Sequence, residues 1–263
     1  MPVDLDLWLT VAAALWGAAA GLLVPRAAYR FSAASGEPWR DRCPDGHLIG
    51  GWLGRARCGQ CARTEPAPPG DAGRAQLSGT LAAYGPSTLL VALSTASVCT
   101  ALALATGTRP ELVVWLLLAP VGVLLTIVDF RVQRLPDVVT LPLAALALLL
   151  LAAAAALPGH AGDRVTALLG ALVLGGAYFL LFLVNPHGMG FGDVKLALGL
   201  GAVLGWYGWP TVMLGTFAGF LFGGLYGLGL VLARRAGRRT AIPFGPFLIA
   251  GAFVGLLVGA FAA

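Results

Sequence analysis

Charge is what this sequence has least of. Asp, Glu, Lys and Arg make up 11% of its 263 residues, against 58% hydrophobic, whereas a soluble domain carries about 25% charged residues. That shortage excludes a water-soluble globular chain and places the protein in lipid. The first apolar run lacks a basic n-region and a small-residue cleavage site distinct from its Ala-rich surroundings, so it reads as a retained helix, not a removed signal peptide. No internal inverted repeat is visible. Apart from the two runs that end or begin at an aspartate, the interior runs hold no His, Glu or Lys for a longer proton relay. Both absences weigh against an ion-coupled transporter.

What is present is a series of apolar runs able to cross about 30 Å of hydrocarbon. They fall at 7–24, 84–106, 112–128, 137–157, 165–184, 194–206, 209–233 and 244–262. The fold class they predict is all-α and integral to the membrane, with about eight transmembrane helices. Residues 1–24 form the first helix, 25–83 a long cytoplasmic loop, and 84–263 a seven-helix core. The sixth run is short and continues into Trp206, Tyr207 and Trp209, which read as an interfacial aromatic belt. Orientation follows from the basic residues. With the N-terminus outside, all 17 Lys and Arg except Arg109 and Arg164 fall on the cytoplasmic side, among them Arg74, Arg234, Arg235, Arg238 and Arg239. The net charge of +5 therefore reflects topology, and nucleic-acid binding is not needed to explain it.

The loop carries three of the four cysteines. Cys43-Pro-Asp-Gly-His47 precedes Cys58-Gly-Gln-Cys61, a CxxC knuckle with glycine in its turn. Together they offer a Cys3His set suited to tetrahedral zinc; the bland alternative is three reduced thiols in a floppy loop. A reducing cytoplasm argues against disulfides. Cys99 lies mid-span and reads as a small packed hydrophobe. Thr64 to Gly73 reads as a Pro/Gly linker back to the membrane.

Two aspartates stand where an aspartate is expensive. Asp129 ends the third run and Asp193 begins the sixth, on the same face of the membrane. An ionisable group there costs several kcal/mol, of order 3, unless paired or hydrated. Each taken singly could be structural, Asp129 by snorkelling to water beside Arg131. As a pair they suggest acid–base hydrolysis of something that itself lies in the membrane. Gly188, Gly190 and Gly192 remove bulk beside Asp193, so a substrate backbone could approach. Asp137, after Pro136 at the start of the fourth run, reads as a helix N-terminal acid favoured by the dipole.

The run Asp129-x4-Arg134-Leu135-Pro136-Asp137-x2-Thr140, then Gly188-Met-Gly-Phe-Gly-Asp193-Val-Lys195, resembles the prepilin peptidases. These are membrane aspartic proteases of the Gly-x-Gly-Asp class that process type IV pilins and pseudopilins. Ile242-Pro243-Phe244-Gly245-Pro246-Phe247 resembles their last segment. The resemblance implies Asp129 and Asp193 as the catalytic pair, Gly190, Gly192 and Lys195 in the active-site loop, and Arg134, Pro136, Pro243, Gly245 and Pro246 as support. It also implies zinc on the loop cysteines, a bacterial inner-membrane location with the site near the cytoplasmic face, and prepilin or pseudopilin substrates with pilus or secretion machinery as partners. Proteolysis by such a pair needs no cofactor.

Members that also N-methylate the new terminus with S-adenosylmethionine have two CxxC pairs in the loop and a glutamate near the start of the second span. Here Cys43 with His47 replaces the first pair, and the second span opens Tyr84-Gly-Pro-Ser-Thr88. The expectation is peptidase activity without methyl transfer. Two other classes remain: a proton-coupled transporter, and a scaffold whose zinc loop recruits a secretion ATPase.

Overall fold

A computed structural model describes residues 2–63, 83–186, 188–233 and 242–263. The linker at 64–73 and the basic residues Arg74, Arg234, Arg235, Arg238 and Arg239 lie outside the described residues.

Among the described residues the regular structure is helical apart from two isolated bridges, Arg42 with Leu48 and Arg57 with Ala83. Eight helices follow one another among the described residues: α1 Pro2–Phe31, α2 Thr88–Thr106, α3 Glu111–Val132, α4 Asp137–Ala154, α5 Arg164–Val184, α6 Phe191–Gly205, α7 Trp209–Leu232 and α8 Gly245–Ala262. Among the described residues, seven are long and apolar enough to cross a membrane. The exception is α6, with 15 residues.

The helix ends are written in local chemistry. Ser87 caps α2, its hydroxyl accepting from the Leu90 N–H. Asp163 caps α5 by accepting from the Val165 and Thr166 N–H groups at 2.9 and 2.8 Å. The α3 helix stops at Gln133, whose left-handed conformation (φ 51°) returns its N–H to the Asp129 carbonyl. Pro136 then opens α4 directly.

The apolar run 7–24 proves to be the middle of a longer helix, since α1 passes Pro25 and continues to Phe31. The extension is held from both sides. Val24, Ala27 and Ala28 pack on Val91, Leu124 and Val128, and the loop segment that follows α1 clamps the polar face. Arg26 Nη1 donates to the Gly50 carbonyl at 2.7 Å, Arg30 Nη1 to that of Gly51 at 2.8 Å, and the Tyr29 hydroxyl to that of Arg42 at 3.0 Å.

Many large apolar side chains face outward, including Trp8, Leu15, Leu89, Leu149 and Phe217. In water such a surface would aggregate; in lipid it is the expected exterior. The closest helix crossings inside the bundle are made by small residues, which let backbones approach. A side chain at Gly251 would strike the backbone of Gly215 and Gly219, so α7 and α8 touch backbone to backbone. Trp206, expected in an aromatic belt, is instead 1% exposed and packs with Trp115, Leu151 and Ala202 in the core. Its position at the end of α6 places it against Gly162, which has no side chain to keep the indole out.

Candidate active site

Asp129 sits in the last turn of α3 and Asp193 in the first turn of α6, only 4% and 7% exposed. Asp129 is thus buried and does not snorkel to water. Its Oδ2 accepts the Gly245 N–H at 3.0 Å. That N–H is one of the donors that the first turn of α8 leaves without an intrahelical partner, and it carries the positive end of the helix dipole. A Cβ at Gly245 would stand 2.8 Å from the same carboxylate oxygen, so the approach requires glycine.

One side chain joins the two halves. Leu135, buried between α3 and α4, lies where a Cβ on Gly192 would be 3.0 Å from its Cβ and one on Gly245 would be 3.4 Å from its Cδ1. The residue before Asp193 and the donor to Asp129 therefore converge on it. A Cβ at Gly190 would be at ordinary contact, 3.5 Å from Asp193 Oδ2. Its absence leaves that carboxylate approachable rather than relieving a clash.

The other predicted positions separate from this centre. Lys195 points to Asp137, with its Nζ 2.6 Å from Oδ2 and 4.7 Å from the Phe191 ring centroid. Arg134 turns to the loop, donating to the Ala34 carbonyl at 3.0 Å with its guanidinium over Trp39. Pro136 precedes α4, and its carbonyl accepts the Thr140 N–H and hydroxyl. Pro246 follows Gly245 in the first turn of α8, and Pro243 lies in the approach to it. Two polar residues escaped sequence reasoning. Tyr178 on α5 is buried, its hydroxyl has no partner among the described residues, and its ring stacks on Phe244. Glu111, fully buried at the opposite end of α3, bonds the Ala161 N–H and the Tyr207 hydroxyl. Each is a lone polar residue in or beside an apolar run, and hydropathy alone does not separate such residues from lipid-facing ones.

Cys43, His47, Cys58 and Cys61 come together, with all four ligand atoms within 4.8 Å of one another. Cys43 Sγ lies 3.6 Å from His47 Nδ1 and 3.7 Å from Cys61 Sγ, while His47 Nδ1 lies 3.2 Å from Cys61 Sγ and 3.7 Å from Cys58 Sγ. A tetrahedral ion with bonds of about 2.3 Å to sulfur has ligand–ligand edges of about 3.8 Å, so the donor set fits a metal. Gly46 (φ 85°) turns the first half and returns its N–H to the Cys43 carbonyl at 2.9 Å. The Cys61 backbone N–H holds the Cys58 thiol down at about 7, whereas a hydrogen bond to Asp45 pushes the Cys61 thiol up. Beside the cluster lies a polar recess of about 430 Å³, lined by Arg26, Arg57, Cys58, Gln60, Arg63 and Tyr84 among others.

The type IV leader peptidase family matches this chain over residues 115–228, which include both aspartates. The chain is similar to the prepilin leader peptidase/N-methyltransferase of Aeromonas salmonicida, 38% identical over 174 residues, or 65% of this chain and 56% of that protein. It is likewise similar to the protein of that name from Pseudomonas aeruginosa, 37% over 150 residues, covering 56% of this chain and 48% of the relative. The similarity to the Burkholderia pseudomallei protein of that name extends over 240 residues at 31% identity, covering 84% and 67%. The chain thus spans little more than half the length of several curated relatives that it matches. No solved structure matches it.

Proposed function

The chain belongs to the type IV leader peptidase family, and from that premise we propose that it is a membrane aspartic endopeptidase. It removes the short basic leader of type IV prepilins or pseudopilins at the cytoplasmic face of the bacterial inner membrane. The observation that supports the reading is that Asp129 and Asp193 are both buried at neighbouring helix ends, Gly245 donating to Asp129 while Gly192, the residue before Asp193, and Gly245 both pack against Leu135.

Two such carboxylates cannot both ionise cheaply and hold one proton between them. The ionised member takes a proton from water, whose oxygen attacks the scissile carbonyl; the protonated member donates to the carbonyl oxygen. Collapse of the tetrahedral intermediate breaks the C–N bond as a proton passes to the leaving amine. Gly245 N–H fixes the rotamer of Asp129 and satisfies one of its lone pairs. The glycines at 190 and 192 keep side chains out of the path of the substrate backbone.

Co-expression with a prepilin, read on a gel for leader loss, tests this. Wild type cleaves; Asp129→Asn and Asp193→Asn are inserted and expressed but inactive, and the double variant is no worse than either single one, because the pair acts as a unit. Near-normal turnover in either single variant would rule the dyad out.

The Cys3His set is the site of one structural zinc per chain, a chemistry to which three thiolates and an imidazole are suited. One observation favours a second activity at this end of the molecule. The polar recess beside the cluster has the size of a small-molecule pocket, and several relatives bear the name N-methyltransferase. Mass spectrometry of a pilin processed by this enzyme alone decides between the readings. A mature terminus of unmodified mass leaves a peptidase only, and one heavier by a methyl group shows that the enzyme also transfers methyl from a donor such as S-adenosylmethionine.

A further inference from the structure

The bundle is open on one side. Among the described residues α2 and α4 do not touch, although both pack on α3. The gap leads into a cavity of about 670 Å³ that none of the charged residues lines. Leu90 and Val98 of α2 form one wall and Leu143 of α4 another, with Leu118 of α3, Leu200 of α6 and Phe253 of α8 behind them.

Its shape is that of a trough. On α2 the lining positions Ser87, Leu90, Ser94, Val98 and Leu102 recur every three or four residues, a stripe about 22 Å long at 1.5 Å per residue. A helix of that length and about 10 Å diameter occupies about 1,700 Å³. The cavity therefore receives one face of a helix and leaves the rest in lipid. The floor is built for that contact: Ser94, Ala119, Gly122, Ala147 and Gly199 all line it. Small residues let two helix backbones approach, whereas an acyl chain has no need of them.

One end of the trough reaches the candidate dyad. Thr126 lies one turn before Asp129, Leu196 three residues after Asp193, and Pro246 next to the Gly245 that donates to Asp129. We propose that the trough is the docking groove for the hydrophobic helix of the substrate, entering sideways from the bilayer between α2 and α4. This rests on the peptidase reading. A helix seated along α2 brings the junction with its leader to Asp129 and Asp193, while the leader itself passes out of the uncharged trough at that end.

Gly122 offers the test. A Cβ there meets only Ile249 Cγ2, at 3.7 Å, an ordinary contact, while Gly176 on α5 faces open space. Gly122→Leu, which fills the trough, lowers the rate of prepilin cleavage at least tenfold; Gly176→Leu leaves it unchanged. A photo-crosslinker replacing Val98 in the uncleaving Asp193→Asn enzyme captures the apolar helix of a co-expressed prepilin, and one replacing the outward-facing Leu172 does not. Adducts at Val98 with lipid alone, or normal cleavage by Gly122→Leu, overturn the proposal. If wild type fails to cleave, the peptidase reading falls by itself, and the Val98 adduct still reports whether the trough takes a helix.

Discussion

A carboxylate set among apolar helices needs a donor, and the one that Asp129 has comes from 116 residues away, at Gly245. The spacing that flags Asp129, Gly190, Gly192 and Asp193 is local and visible in the sequence. The bond to Gly245 is not, because nothing in a string of apolar residues says which helix start will face which helix end. The closeness of that contact yields a prediction. Gly245→Ala forces a methyl group to within 2.8 Å of Asp129 Oδ2, displacing the carboxylate; cleavage falls by more than tenfold while membrane insertion is retained, as read by prepilin processing and membrane fractionation. Tyr178 makes the opposite case. A buried hydroxyl with no partner costs about 1–3 kcal/mol, so Tyr178→Phe melts at an equal or higher temperature in detergent. A lower melting temperature would reveal a hydrogen bond to that hydroxyl.

At the scale of elements, the apolar runs fixed which segments become helices but not where these end. The helix α1 outruns its apolar stretch because Arg26, Tyr29 and Arg30 are satisfied by carbonyls of the loop that follows it, partners that hydropathy does not register. The Cys/His cluster was legible because CxxC and Cys-x3-His spacings are short-range turns that close on themselves. The open side of the bundle was not, since hydropathy treats lipid-facing and cavity-facing leucines alike. The segment that carries the cluster is fastened to α1 by the arginine clamps and to the end of the third helix by Arg134 and Trp39. Chelation of the metal proposed for this cluster, or Cys58→Ser, therefore exposes residues 39–63 to protease before the membrane helices loosen, as limited proteolysis followed by mass spectrometry would show. Simultaneous loss of both regions would mean that the metal holds the whole bundle together.

For the whole molecule, length decides where water meets the dyad. A helix of 15 residues spans about 22 Å, about 8 Å short of a 30 Å hydrocarbon core, and Asp193 is on its first turn. The chain before Phe191 then enters the membrane without helical hydrogen bonds, which is tolerated only where backbone is buried in protein or faces a water-filled cavity. In the proposed mechanism this break in the helical span is where water reaches the two carboxylates. It serves a cytoplasmic leader only if this end faces the cytoplasm, as the basic residues at the same end argue: Arg131, Arg134 and the arginines of the clamp. Alkaline phosphatase, active only outside the cytoplasmic membrane, is therefore expected to be active when fused within residues 158–161, between α4 and α5, and inactive when fused after Gln133, between α3 and α4. The reverse pattern would put Asp129 and Asp193 on the outer face, where no basic leader waits to be cut.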